Sequence, residues 1–259
     1  MKKAIIVLAL GFVCGVAQSD VFFDDFNRAN TAFETNETVS IGSGYVLSQT
    51  VGTRTAQARI LSGRIQFNQD LTTGSVNANN VVLRQTGIEL ANSEVGDSFT
   101  VSADIKTFNV ASGTLLYGLA FNYQPDGSFY AARLNTGNAA NVLQFIRVNA
   151  AGSVGGFGNI ANSVTLDIDS IYGLTIQSSA VGVFNYTLTG ANLDGGQLSG
   201  TATDTSLNLA NGKAGFYTSG TNTNPLYDNL SITTIPEPAT LGLIGLAAVT
   251  LLGLRRLAV

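Results

Sequence analysis

The 259-residue chain has no histidine and no tryptophan, one cysteine, one methionine and four prolines. Without histidine, a Ser-His-Asp triad and a histidine-ligated zinc site are both excluded. The lone Cys14 lies in a leader-like segment, so an exported body would carry neither a disulfide nor a thiolate nucleophile. Charge is scarce as well. Asp, Glu, Lys and Arg make up 12% of the chain, about half the ~25% usual in soluble domains. Between residues 20 and 234 there are 16 acidic and 9 basic side chains, a net charge of −7. An acidic body with no basic cluster repels phosphate backbones, so no nucleic-acid partner is expected. The Gly-rich stretch 152–158 has no P-loop lysine and no following helix signal, and reads as a flexible loop.

The two ends carry the long apolar runs that the middle lacks. Met1-Lys2-Lys3 precede an apolar run from Ala4 to Val13, and small residues follow by Ala17. A basic start, a short apolar core and a small-residue exit form a secretory signal peptide, assigned to 1–19. At the other end, 239–254 contains no charge. As a helix it reaches about 24 Å, a little short of the ~30 Å hydrocarbon core, and local thinning covers the deficit. Arg255 and Arg256 follow at once and mark the cytoplasmic side of a membrane stop. Pro236 and Pro238 keep that transmembrane helix from extending upstream.

Ile235-Pro236-Glu237-Pro238-Ala239-Thr240, the apolar helix and the Arg255-Arg256 pair, in that order, resemble the PEP-CTERM sorting signal of Gram-negative bacteria. The family usually has valine where Ile235 stands. The resemblance implies that an exosortase recognises Pro236, Glu237 and Pro238, removes the helix and passes the protein from the inner membrane to the surface. It also implies a setting rich in exopolysaccharide. The sorting signal is assigned to 235–259 and the body to 20–234.

The body alternates. In 98–107, Phe99, Val101, Ala103 and Ile105 share one face and Ser98, Thr100, Ser102, Asp104 and Lys106 the other. Leu115, Tyr117, Leu119, Phe121 and Tyr123 repeat the pattern, as do Tyr172, Leu174 and Ile176, then Phe184, Tyr186 and Leu188. Period-2 patterning bounded by turn residues predicts about a dozen antiparallel strands and an all-β sandwich or jelly roll. The run Phe22-Phe23-Asp24-Asp25-Phe26-Asn27, the strand starting at Tyr117, and the closing Gly215-Phe216-Tyr217 and Leu226-Tyr227-Asp228-Asn229-Leu230 are similar to the concanavalin A-like (laminin-G-like) jelly roll. That resemblance implies that the first and last strands pair, bringing Asp24 and Asp25 near Asp228.

Three groups of side chains are candidates for chemistry. Asp228 is expected beside the inward Leu226, Leu230 and Ile232, where a carboxylate needs a partner. Asp25 and Asp228 are therefore candidate Ca2+ ligands, the alternative being aspartates held by backbone N–H groups or by an arginine such as Arg28. Asn122, Tyr123 and Tyr130, near the 124–127 turn, are candidates for binding a sugar ring, although alternation also explains such tyrosines as core. Asp167 and Asp169 lie in a run without the glutamates of the E-x-D-x-x-E strand of related glycosidases, and read as a solvated strand edge. The reading that follows is an exported, non-enzymatic surface or matrix protein that binds glycan weakly. A divergent polysaccharide hydrolase and a purely structural or adhesion subunit are the alternatives.

Overall fold

The computed structural model describes residues 20–31, 44–49, 56–69, 81–85, 90–91, 98–106, 116–219 and 225–235. The expected signal peptide and the sorting residues Pro236, Glu237, Pro238, Arg255 and Arg256 lie outside the described residues.

Where the sequence alternates, the backbone is extended and one side of it is buried. β7 (Ser98–Lys106) alternates half-buried and buried along its whole length, with Phe99, Val101, Ala103 and Ile105 inward. β12 (Ile171–Ala180) does the same with Tyr172, Leu174 and Ile176. Sixteen strands among the described residues build two antiparallel sheets. Sheet A runs β14 (Gln197–Thr203), β13 (Val183–Gly190), β12, β7, β16 (Leu226–Ile235), β4 (Ile65–Gln69) and β3 (Ala56–Ile60). β1 (Asp20–Asp24) pairs with β16 on the side opposite β7, matching Asp20 with Thr234 and Asp24 with Leu230. The first and last strands are thus joined, as expected. Sheet B runs β11 (Val154–Ile160), β10 (Leu143–Val148), β9 (Phe129–Asn135), β8 (Leu116–Tyr123), β15 (Asn211–Ser219), β5 (Val81–Gln85) and β2 (Tyr45–Gln49), with the short β6 (Leu90–Ala91) on β15.

The core lies between the sheets and is rich in aromatic rings. Phe184 of sheet A sits 4.9 Å from both Phe121 and Tyr130 of sheet B. Tyr227 of sheet A packs 4.5 Å from Phe216 of sheet B and 5.5 Å from Phe67. Each such burial stabilises by about 1.5–3 kcal/mol, and the ring contacts fix the sheets in one offset. The chain leaving β1 is pinned by Asp24, whose carboxylate accepts the Phe26 N–H at 2.8 Å, the Tyr45 hydroxyl at 3.1 Å and the Arg28 guanidinium. These bonds hold the buried Phe26 at a φ of 49°, a region that bulky residues avoid.

The stretch 152–158, expected as a loop, is mostly strand: β11 forms the edge of sheet B after a tight turn over 149–153. Phe157 supplies the reason, since its ring packs 5.6 Å from Tyr130 and 5.8 Å from Phe145. Gly155 has a separate role. A Cβ there would meet the Arg147 guanidinium at 3.1 Å, so glycine lets this cation lie flat across the edge strand. Arg147 then reaches Asp204 at 2.8 Å. Asp204 is 4% exposed and also accepts the Tyr130 hydroxyl at 3.2 Å and the Leu207 N–H at 3.0 Å. One carboxylate therefore ties β9 and β10 of sheet B to the segment that follows β14 of sheet A.

Replacing Asp204 leaves a buried phenol and a backbone donor without their acceptor. Asp204→Ala is expected to lower unfolding stability by about 3 kcal/mol. Urea titration should show a lower midpoint at an unchanged m-value. A loss below about 1 kcal/mol would mean that the network adds little to inter-sheet packing.

Candidate functional site

The expected sugar platform near the β8–β9 turn is closed. Tyr117, Leu119 and Phe121 face the core, and strict alternation would send Tyr123 with them. Asn122 instead adopts a φ of 52° and changes the parity of the strand. Its own side chain is wholly buried and donates to the Leu209 carbonyl at 3.1 Å. Tyr123 passes to the outer face of sheet B, stacked on Phe129 at 5.5 Å with Arg84 5.2 Å from its ring. Tyr130 has no exposed surface. Burial pushes its hydroxyl up to about 12, and that hydroxyl is spent on Asp204 and Leu209. The assignment of Asn122, Tyr123 and Tyr130 to sugar binding is corrected: all three side chains are buried.

A second change of parity relocates Asp228. Tyr227, Leu230, Ile232 and Thr234 are the buried residues of β16, an odd position followed by three even ones. The pairing with β7 accordingly slips between Asp228 and Ser231, with Asn229 at a φ of 53°. Asp228 is thereby turned to the outer face of sheet A, directly opposite Asp104, and does not sit beside the apolar residues as expected. Its carboxylate accepts the Arg64 guanidinium at 3.4 Å and the Asn229 N–H at 2.9 Å, while the Asn229 amide donates to Asp104 at 2.8 Å. Asp25 is exposed and accepts the Asn27 N–H at 3.1 Å. The calcium reading does not fit this donor set. Asp228 is already neutralised by Arg64, Asp25 is turned to its own backbone, and no group of three His, Cys, Asp or Glu among the described residues is placed to hold a metal ion. Asp24, not Asp25, pairs with Arg28.

Beside this bulge lies an open groove of about 390 Å3 on the outer face of sheet A. Its floor is cut by Gly173, between Asp104 and Thr189, where a Cβ would meet the Thr189 hydroxyl at 2.7 Å. Across the groove the register brings outward residues of successive strands into line. Thr187 stands opposite Thr175, Thr175 opposite Ser102, Ser102 opposite Ser231, and Ser231 opposite Phe23. Ser199 of β14 extends the line past Thr187. Phe23 is 62% exposed, whereas its neighbour Phe22 packs on Tyr45. Asp104 is the one charged residue among the described residues that line the groove.

None of these groove residues was singled out from sequence. The outward alternation of Ser102 and Asp104 was readable, but which threonine of another strand stands beside them depends on register. Asp167 and Asp169 lie in a turn and not on a strand face, with Asp169 at a φ of 60° and the Asp167 N–H donated to the Tyr172 hydroxyl at 2.7 Å. No helix among the described residues is long and apolar enough to cross a membrane.

Burial, and less strongly the facing Asp104, raises the pKa of Asp228 above its ordinary value, against the lowering effect of the Asn229 N–H and Arg64. The fold therefore favours the neutral acid. That contribution is complete below the unfolded pKa and is lost as pH rises through the folded one. Asp228→Asn keeps the shape and removes the ionisation. Its Tm relative to the natural protein should rise as pH is taken from about 3 to about 7. A flat or falling difference across that window contradicts the assignment.

Residues 234–256 match the family model of the PEP-CTERM protein-sorting motif. No protein of curated function matches the chain in sequence. Among solved structures, lectin II from Ulex europaeus superposes with a TM-score of 0.50 at 13% identity, covering 85% of this chain and 100% of the lectin. A lectin UEA-II complexed with galactose gives a TM-score of 0.50 at 13% identity, over 83% of this chain and 98% of that one. A carbohydrate-binding module, CBM66 from Bacillus subtilis, is similar at 15% identity and a TM-score of 0.43, over 72% and 91% of the two chains. At such identities the likeness is one of fold. The chain therefore carries a PEP-CTERM sorting motif at residues 234–256, behind a body that is a concanavalin A-like jelly-roll sandwich.

Proposed function

We propose that this protein is exported by its 1–19 leader, sorted by an exosortase through its 235–259 tail, and held at the cell surface, where its 20–234 sandwich binds glycan without cleaving it. The observation that carries the binding reading is the groove on sheet A, open and lined by hydroxyl and amide side chains with one exposed aromatic ring. Polar groups of this kind exchange hydrogen bonds with sugar hydroxyls, and a ring offers a flat apolar face. The occurrence of the same fold in a lectin complexed with galactose supports the ligand class.

The chemistry of the groove favours binding over hydrolysis. Asp104 and Asp228 stand on adjacent strands at the rim of the groove, each already hydrogen-bonded to a side chain. The hollow around Asp228 is about 90 Å3, far below the ~300 Å3 at which ligand pockets begin. A sugar ring is not enclosed there with an acid on one side and a nucleophile on the other.

A second reading has its own observation. β14 ends sheet A as an edge strand, pairs with β13 without a register shift, and contains no charge and no proline in Gln197–Thr203. Edge strands of soluble proteins are usually interrupted by such residues, so β14 suits pairing with a second copy in a structural layer. Sedimentation should then show concentration-dependent association that Thr203→Lys abolishes. A monomer at all concentrations sinks this reading.

The binding proposal is tested by passing the purified protein over immobilised exopolysaccharide, first with calcium and then with chelator, while reducing ends are assayed in the effluent. Retention in both conditions with no new reducing ends is expected. Retention lost in chelator would restore a metal role for Asp25 and Asp228, and released reducing ends would make the protein a hydrolase.

A further inference from the structure

We propose that the ligand of the sheet A groove is an uncharged, extended polysaccharide laid across the strands, its hydroxyls met in turn by Ser199, Thr187, Thr175, Ser102 and Ser231 and one of its rings stacked on Phe23. This rests on the glycan-binding reading and specifies its substrate class.

The first observation is the line itself. The six residues come from six neighbouring strands, in the order β14, β13, β12, β7, β16 and β1, and each stands opposite the next in register. At about 4.8 Å per strand spacing the line runs about 24 Å. A row of hydroxyl groups at a constant interval is complementary to a polymer with a short repeat. A single sugar touches two or three of these strands, whereas a chain touches all of them, and each added contact is made at little further cost in translational freedom.

The second observation is charge. No member of the line is charged, nor is any of Thr201, Asn185, Gln177, Thr100 and Thr233, which form the parallel row beside it. On the other side stand Asp104 and the Asp228–Arg64 pair, which carries no net charge. Asp104 is the charged group nearest the floor, and the whole body is acidic. A polyuronate or a phosphate-bearing glycan meets negative potential at Asp104 and no cation among the described lining residues, whereas a neutral chain loses nothing. The carboxylate of Asp104 remains able to accept a sugar hydroxyl at the rim.

The third observation is Phe23. The alternation of β1 turns Phe22 inward and leaves Phe23 outward at 62% exposure. Among the described lining residues it is the exposed large apolar side chain, at the end of the hydroxyl line. Gly173 leaves the middle of the floor without a side chain, so a chain entering from β14 passes at the level of the hydroxyls to reach the ring. Among the described residues β14 pairs only with β13 and β1 only with β16, so the line ends at two strand edges, which suits the interior of a long polymer as well as its terminus.

The experiment is a calorimetric titration of the full protein with neutral β-glucan oligosaccharides of increasing length and with polyuronates of matched length. Affinity for the neutral series should rise with length and level off once the chain spans the line, while the polyuronates should bind at least tenfold more weakly. Phe23→Ala should lose roughly tenfold in affinity for the long neutral chains, the size of one aromatic contact, and Phe23→Tyr should retain it. Thr175→Val, isosteric and on the solvent face, should weaken binding by a few-fold with its urea midpoint unchanged. Neutral chains bound without length dependence, or equally by the Phe23→Ala and Thr175→Val proteins, overturn the line while leaving glycan binding in place. Binding of polyuronates alone overturns the neutral ligand. No binding to any glycan, including the exopolysaccharide column, removes both readings.

Discussion

The outer face of sheet A depends on one extra residue in β16. Tyr227 must point inward, because its ring fills the space between Phe67 and Phe216. Leu230 and Ile232 must also point inward, because they close the core beneath β1 and β7. No strand of strict period 2 can bury an odd position and the next even ones. Asn229 resolves the conflict with a left-handed backbone, which asparagine tolerates better than a branched or bulky residue. From that residue onward, Ser231 and Thr233 are outward and in register with Ser102 and Thr100, and upstream of it Asp228 faces Asp104. A core-packing requirement thus sets the composition of the opposite face of the same sheet.

The same device at Asn122 has the opposite consequence on the other sheet. There the parity change delivers Tyr123 to a cluster on the outer side of sheet B, with Phe129, Ile146, Val148 and Tyr217, all buried. The two outer faces therefore differ in kind. That of sheet A is a solvent-facing array of hydroxyls and amides, while that of sheet B buries rings and aliphatic groups, with Arg84 over the Tyr123 ring. Between them, the aromatic contacts centred on Phe184 and Tyr227 hold the separation. Asp204 closes one end by satisfying donors from both layers at once.

Much of this was legible before any coordinates, because alternation follows from burial of one face. The inward sets of β7 and β12 and the pairing of β1 with β16 agree with the expectations drawn from the pattern and from the fold resemblance. The misreadings have different physical origins. The glycines of 152–158 suggested a loop, yet Phe157 docks into the core and brings the backbone with it as an edge strand. Tyr123 and Tyr130 were chosen for their nearness to the 124–127 turn, which says nothing of burial. Asp228 was assigned to the inward face by counting residues, and counting fails at the bulge beside Asn229. A left-handed asparagine is locally inexpensive and leaves no mark on the hydrophobic pattern.

By itself, then, the sequence determined the layered all-β body, the absence of histidine and cysteine chemistry in it, and the sorting motif at 234–256. Those properties reside in composition, in local periodicity and in one short contiguous signal. The tertiary structure alone decided which carboxylates meet, which tyrosines are hidden, and that Ser199, Thr187, Thr175, Ser102, Ser231 and Phe23 form a single line. The reason is geometric. These residues are scattered from position 23 to position 231, and what aligns them is the register of five strand pairings, each fixed by core packing and bulges on the far side of the sheet.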